Sequence, residues 1–172
     1  MTQHDETPTA QETNVTIRVY DAGRAPTLEA ARRATPLREW RRHNTTRAAY
    51  HEAVVSALAG TAPDLEVDAL ALGDAETDTS ELATMAAVGN ETFRTSVTDA
   101  RPSGQTFRAT IFLDSTEANG QTYREAALVA EQADGSDLPI NHVIIDDPGG
   151  LLDPKSAGET VTIDIDITQQ DA

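Results

Sequence analysis

Alternation between apolar and polar positions is clearest near the end of the chain. In "ETVTIDIDIT" (159–168), Val161, Ile163, Ile165 and Ile167 fall on one face and Thr162, Asp164, Asp166 and Thr168 on the other. That period of two is what a half-buried strand requires. "NVTIRVY" (14–20) repeats it, with Val15, Ile17 and Val19 set against Thr16, Arg18 and Tyr20. Further strand-like runs cover 66–73, 91–98, 105–114, 121–131 and 138–146. Turn-forming stretches separate the later ones: "ARPSGQ", "EANGQ", "ADGSD" and "DDPGGLLDPKSAGE".

Between the first strand and residue 60 the pattern changes. Residues 27–34 and 37–43 predict short helices broken at Pro36. "NTTRAAYHEAVVSALAG" (44–60) predicts a longer helix, capped by Asn44 or Thr45, ended by Gly60, and carrying Ala49, Tyr50, Val54 and Leu58 as its apolar stripe. "ATMAAVG" within the acidic connection after residue 73 is read as a short helix or a packed loop. The expected fold is mainly β with an N-terminal helical segment, an antiparallel β-sandwich or small barrel of about six to seven strands. Its expected organisation is a disordered leader over 1–13, a strand plus helical docking segment over 14–60, and the sandwich over 61–172.

At 172 residues the chain is long enough for one domain with a sizeable core. Apolar residues make up 38% and aromatics only 4%, so that core must be built from Val, Ile, Leu and Ala. No run of apolar residues reaches the length of a spanning helix, and "MTQHDETPTAQETN" has neither the basic start nor the apolar stretch of a secretory signal. There is no cysteine, which excludes disulfides and thiolate-bound zinc.

Charge alters the picture more. The chain has 29 Asp and Glu against 13 Lys and Arg, a formal net charge of −16, and Lys155 is its single lysine. A carboxylate-rich, lysine-poor, threonine-rich surface suits multimolar salt, where a Debye length of roughly 3 Å or less screens self-repulsion. The composition therefore predicts a halophile's protein. The positive charge is concentrated: residues 18–47 carry +5, while 48–172 carry −18.

Signatures of catalysis are missing. No nucleophile elbow, phosphate-binding glycine loop, dinucleotide fingerprint or zinc-protease motif occurs, and the expectation is a chain with no enzymatic activity and no cofactor. His43 and His51, eight apart, could share one helix face, but no third metal ligand stands at a useful spacing. Asp164 and Asp166 lie on one strand face about 7 Å apart, a separation compatible with a hydrolytic carboxylate pair, but on so acid-rich a chain a solvated strand face is the expected reading. "DSTEANG" (114–120) and "IDDPGG" (145–150) offer oxygens to a hard cation, as do acidic loops throughout this chain.

The arginine-rich stretch "ARRATPLREWRRHNTTR" (31–47) carries the strongest functional expectation. Nucleic acid is disfavoured as its partner, because the remaining acidic surface repels a polyanion and counterion release contributes little in brine. Guanidinium keeps its value there through bidentate and stacked contacts, and Trp and Arg are the residues most enriched at interface hot spots. Arg32, Arg33, Arg38, Trp40, Arg41, Arg42 and Arg47 are therefore the expected protein–protein interface, set against an exposed segment balanced by the chain's own carboxylates.

Residues 43–168 also resemble a class of small tail-tip virion proteins of tailed bacteriophages and haloarchaeal tailed viruses. The resemblance rests on "AVVSALAG" (53–60), "VDALALG" (67–73), "DAETDTSELATMAAVGNETFR" (74–94), "FRATIFLDSTEANGQTYREAAL" (107–128) and "PKSAGETVTIDIDI" (154–167). It implies a structural baseplate or tail-fibre component in the virion, present in symmetric copies. Its implied partners are other tail proteins and copies of itself, with neither nucleic acid nor membrane among them. Placement on the capsid as a decoration or turret protein, and a host-surface or glycan-binding role, stay open at this point.

Overall fold

The computed structural model describes residues 12–60, 65–78, 80, 82, 84–145 and 154–168. Most of the expected leader, residues 1–11, lies outside them. The alternating segments become the strands of two antiparallel sheets packed face to face. The first runs β2 (Arg38–Thr46), β1 (Glu12–Asp21), β10 (Glu159–Thr168), β6 (Thr106–Leu113), β5 (Asp99–Ser103). The second runs β4 (Glu91–Ser96), β3 (Ala69–Gly73), β7 (Glu125–Glu131), with β8 (Asp137–Pro139) and β9 (Asn141–Ile144) both paired to β7. Helices α1 (Leu28–Ala31) and α2 (Ala48–Leu58) flank β2 in sequence. β2 links the layers: its first part pairs with β1, and Thr45 and Thr46 pair with His142 and Asn141 of β9. The sheets do not close into a barrel, since β4 and β5 end the path.

Register follows the alternation. β1 and β10 pair along their whole length, from Glu12 opposite Thr168 to Asp21 opposite Glu159. Val15, Ile17 and Val19 thus stand beside Ile165, Ile163 and Val161, and Ala109, Ile111 and Leu113 of β6 extend the row. Against them pack Leu70 and Leu72 of β3, Ala126, Leu128 and Ala130 of β7, and Ile140, Val143 and Ile145. Each fully buried Ile or Leu contributes about 1.5–3 kcal/mol, so aliphatic residues supply most of what holds the sheets together, with Tyr123 inside the core and Trp40, Phe93 and Phe107 packed against it.

Where charge dominates the sequence, strand pairing overrides the local pattern. The helix expected over 37–43 is instead part of β2. Trp40 lies opposite Ile17, with Arg38 opposite Val19 and Arg42 opposite Val15. Pairing with β1 satisfies the backbone and brings the indole onto the core, a gain that a run of arginines does not advertise. Residues 14–60 therefore supply two strands of the sandwich rather than standing apart from it. The helix expected over 27–34 shrinks to α1, one turn capped by the Thr27 hydroxyl.

α2 starts at Ala48, later than expected, because Thr45 and Thr46 are engaged by β9; Arg47 takes the cap position without a side-chain cap bond. Its Leu58, expected on the apolar stripe, is 87% exposed, and Ala53 is the helix's buried residue. The strand expected over 138–146 divides at Ile140. There the Asn141 side chain accepts the Leu128 amide at 2.8 Å in place of a backbone carbonyl. "ARPSGQ", read as a turn, supplies the short edge strand β5, where Pro102 limits pairing on the open side.

Candidate functional site

The seven expected interface residues divide into three settings. Arg41 and Arg42, with His43 next to them, are exposed on β2, whose 38–44 stretch is paired on the β1 side alone among the described residues. Arg41 Nε donates to Glu39 at 2.9 Å, and the Arg42 guanidinium lies 4.9 Å from the centre of the Trp40 ring. Trp40 itself is half-buried against the core, its indole N–H without an acceptor among the described residues. The second group is tied to neighbouring carboxylates: Arg32 to Asp99, Arg33 to Glu29 at 2.5 Å, and Arg38 to Glu159 at 2.7 Å.

Arg47 corrects the expectation outright. It is fully buried and cannot meet a partner. Its Nη1 donates to the Leu82 carbonyl and to His142 Nδ1 at 3.0 Å, and His142 Nε2 lies 2.5 Å from Glu125 Oε2. Because arginine can only donate, Nδ1 must accept, which fixes His142 as the neutral Nε2–H tautomer donating to the Glu125 carboxylate. The sign pattern is thus cation, neutral relay, anion. Burial, reinforced by the Arg47 charge, lowers the His142 pKa from its ordinary value to about 4. Burial also pushes Glu125 upward, against donation from the Gly89 backbone and the Thr77 hydroxyl. Gly89 must be glycine, since a Cβ there would sit 2.8 Å from Glu125 Oε1 and 2.6 Å from the Ala75 Cβ. All three side chains lie on the outer face of the second sheet, beneath the 74–90 connection. The sequence signal for this group was a polar residue inside an apolar run: Glu125 before "AALVA" and His142 within "INHVII".

A second buried cation locks a turn. Lys155, 2% exposed, donates to the Glu117 carbonyl at 2.9 Å and to Asn119 Oδ1 at 2.8 Å. Gly120 N–H returns a bond to the Lys155 carbonyl at 3.0 Å. This clamp fixes the bend in which Ala118 adopts a left-handed φ of 56° and Gly120 one of 73°. Burial lowers the Lys155 pKa, opposed by Asp114, Glu159 and Glu117.

The other candidates resolve into structure. His43 is on a strand and His51 on a helix, so they do not share a helix face, and among the described residues no cluster of three or more metal-ligating side chains occurs. Asp164 and Asp166 are on one outer face as expected, each held by arginine: Asp164 by Arg18 at 2.6 Å, Asp166 by both Nε and Nη2 of Arg108 at 2.6 Å. Asp114 accepts the Thr116 hydroxyl and backbone N–H, which lower its pKa. Most of the 145–150 loop lies outside the described residues. No family model matches this chain, and no curated protein or solved structure does so either.

Proposed function

We propose that this chain is a non-enzymatic structural protein that docks onto neighbouring subunits through the open edge of β2. The observation that carries the reading is a strand whose 38–44 stretch, among the described residues, is paired on the β1 side alone, with Arg41 and His43 exposed on one face and Arg42 over the Trp40 ring on the other. An unpaired strand edge offers backbone donors and acceptors to an added segment. Guanidinium groups beside it favour a carboxylate-bearing one, and such contacts outlast the screening of brine. Partners sharing this chain's surface design carry the required carboxylates.

The resemblance of residues 43–168 to tail-tip proteins makes the assembly the distal tail of a halophilic virus, with the chain as baseplate or fibre adaptor. One feature supports treating those motif segments as a unit. "EANG" and "PKSAGE", far apart in sequence, meet at Lys155.

The test must spare Trp40, because removing it opens the core. Arg41→Glu with Arg42→Glu keeps the fold and reverses the patch. Light scattering in concentrated salt should show oligomers of the wild type and monomers of the variant, and labelled particles should carry the protein at the tail tip. A wild type that is monomeric under all conditions, or label confined to the head, rejects the reading.

A further inference from the structure

The outer face of the first sheet carries a feature that docking through β2 does not use. Arg101 of β5 and Arg108 of β6 stand directly opposite each other in the ladder. Like charges so placed destabilise a sheet. Both line a cleft of about 290 Å³ between that face and the α1 connection, and the pair also borders a second cleft of about 460 Å³. Arg18 and Arg32 complete the cationic lining of the first.

These guanidiniums are held in place from behind. Arg108 is fixed by Asp166, Arg18 by Glu39 and Asp164, and Arg32 by Asp99. Arg101 is the most loosely held, its Nε 3.9 Å from Asp99. Anchoring leaves further N–H groups pointing away from the carboxylates in a pre-organised array, which lowers the ordering cost of binding.

The floor of the same cleft contains an unsatisfied group. Thr162 is 4% exposed, lines the cleft, and its buried hydroxyl has no hydrogen-bond partner among the described residues. Beside it Asp164, oriented by the Thr110 hydroxyl at 2.6 Å, adds acceptor capacity. Leu28 and Pro36 form an apolar wall. Guanidiniums for an oxyanion, a hydroxyl and a carboxylate for ligand hydroxyls, and an apolar wall for a C–H face together describe one ligand class.

We infer that this cleft binds a sugar acid of monosaccharide size, its carboxylate between Arg101 and Arg108 and a ring hydroxyl on Thr162. The inference is independent of the docking role of β2. It is tested on the full chain in concentrated potassium chloride by amide-shift titration with methyl glucuronide, methyl glucoside and inorganic sulfate. Glucuronide should shift the amides of Arg101, Arg108 and Thr162 and bind about tenfold more tightly than either control, the size of one charge-assisted hydrogen bond. Arg101→Ala should lose that preference. Thr162→Val, which replaces an unpartnered hydroxyl by a methyl, should weaken glucuronide several-fold in a protein at least as heat-stable as the wild type. Equal binding of glucuronide and glucoside, sulfate binding as tightly as glucuronide, or unchanged affinity in folded Thr162→Val overturns the inference.

Discussion

The outer faces of the two sheets use the same side chains to opposite ends. On the first, Arg108 meets Asp166 and Arg18 meets Asp164 and Glu39, with the arginine side chains still 44% and 25% exposed. On the second, the 74–90 connection covers Arg47, His142 and Glu125, and none of the three is exposed. The first face is a set of pairs that water can replace. The second is a buried relay in which each member is the partner that keeps the next from being left uncompensated. Removing one charge from a buried pair is costly even where the pair as a whole adds little net stability. The contrast is therefore a statement about dependence: the relay should fail as a unit, and the open face pair by pair.

The largest effect is expected from Arg47→Met, which keeps volume but strands the Glu125 charge beside a His142 that has lost its donor. It should cost about 3–5 kcal/mol in chemical denaturation. A loss below about 1 kcal/mol would show that the covered face behaves like the open one. Lys155→Met comes next. It leaves the Glu117 carbonyl and Asn119 Oδ1 without their donor, and should cost about 1–3 kcal/mol. Its effect should concentrate in the 114–120 turn, so hydrogen exchange there should quicken more than in β7.

Acid sharpens the comparison, because the covered face holds a histidine with a strongly lowered pKa. In the unfolded chain His142 takes a proton near its ordinary value of 6.5, whereas in the folded protein it does so only near 4. The stability it contributes is therefore complete above pH 6.5 and is lost as the pH falls toward 4, up to about 1.4 kcal/mol per pH unit. Glu125 acts in the other direction. Its raised pKa is a cost at neutral pH that shrinks on acidification, so the observed loss should be smaller than His142 alone would give. His142→Gln should flatten the slope of stability between pH 7 and 5. An unchanged slope would move the acid sensitivity elsewhere.

The same contrast explains what the sequence could and could not disclose. Period-two alternation in 14–20 and 159–168 identified β1 and β10, because one face of each is aliphatic and the other polar. It failed at β2, where arginines occupy both faces and only Trp40 points to the core; the strand exists because β1 needed a partner, which is not a local property. The residues around the covered face were equally hidden. Charge alone does not report burial, so Arg47 reads like its arginine neighbours, and its hydrogen-bond partners, the Leu82 carbonyl and His142, lie 35 and 95 residues away. Lys155 stands out as the single lysine, but its clamp on the Asn119 turn depends on two loops meeting in space. The open face is legible: alternation puts Asp164 and Asp166 on the polar side of the strand, and they are there, with arginines no spacing rule could assign to them.

The smallest expected effect tests the open face directly. Arg108 and Asp166 form a two-pronged contact, the geometry that gives an exposed ion pair its best chance of mattering. Yet both groups remain hydrated when separated, and ordering two side chains opposes the Coulomb gain. A double-mutant cycle with Arg108→Ala and Asp166→Ala should therefore return a coupling of no more than about 1 kcal/mol. Rising salt should remove the long-range share of that coupling and leave the contact share, since two prongs at 2.6 Å lie inside the screening distance even in brine. The cycle should thus fall to a plateau rather than to zero. A coupling above about 3 kcal/mol would mean that the open face is held as tightly as the covered one, and the distinction between replaceable pairs and an interdependent relay would then be lost.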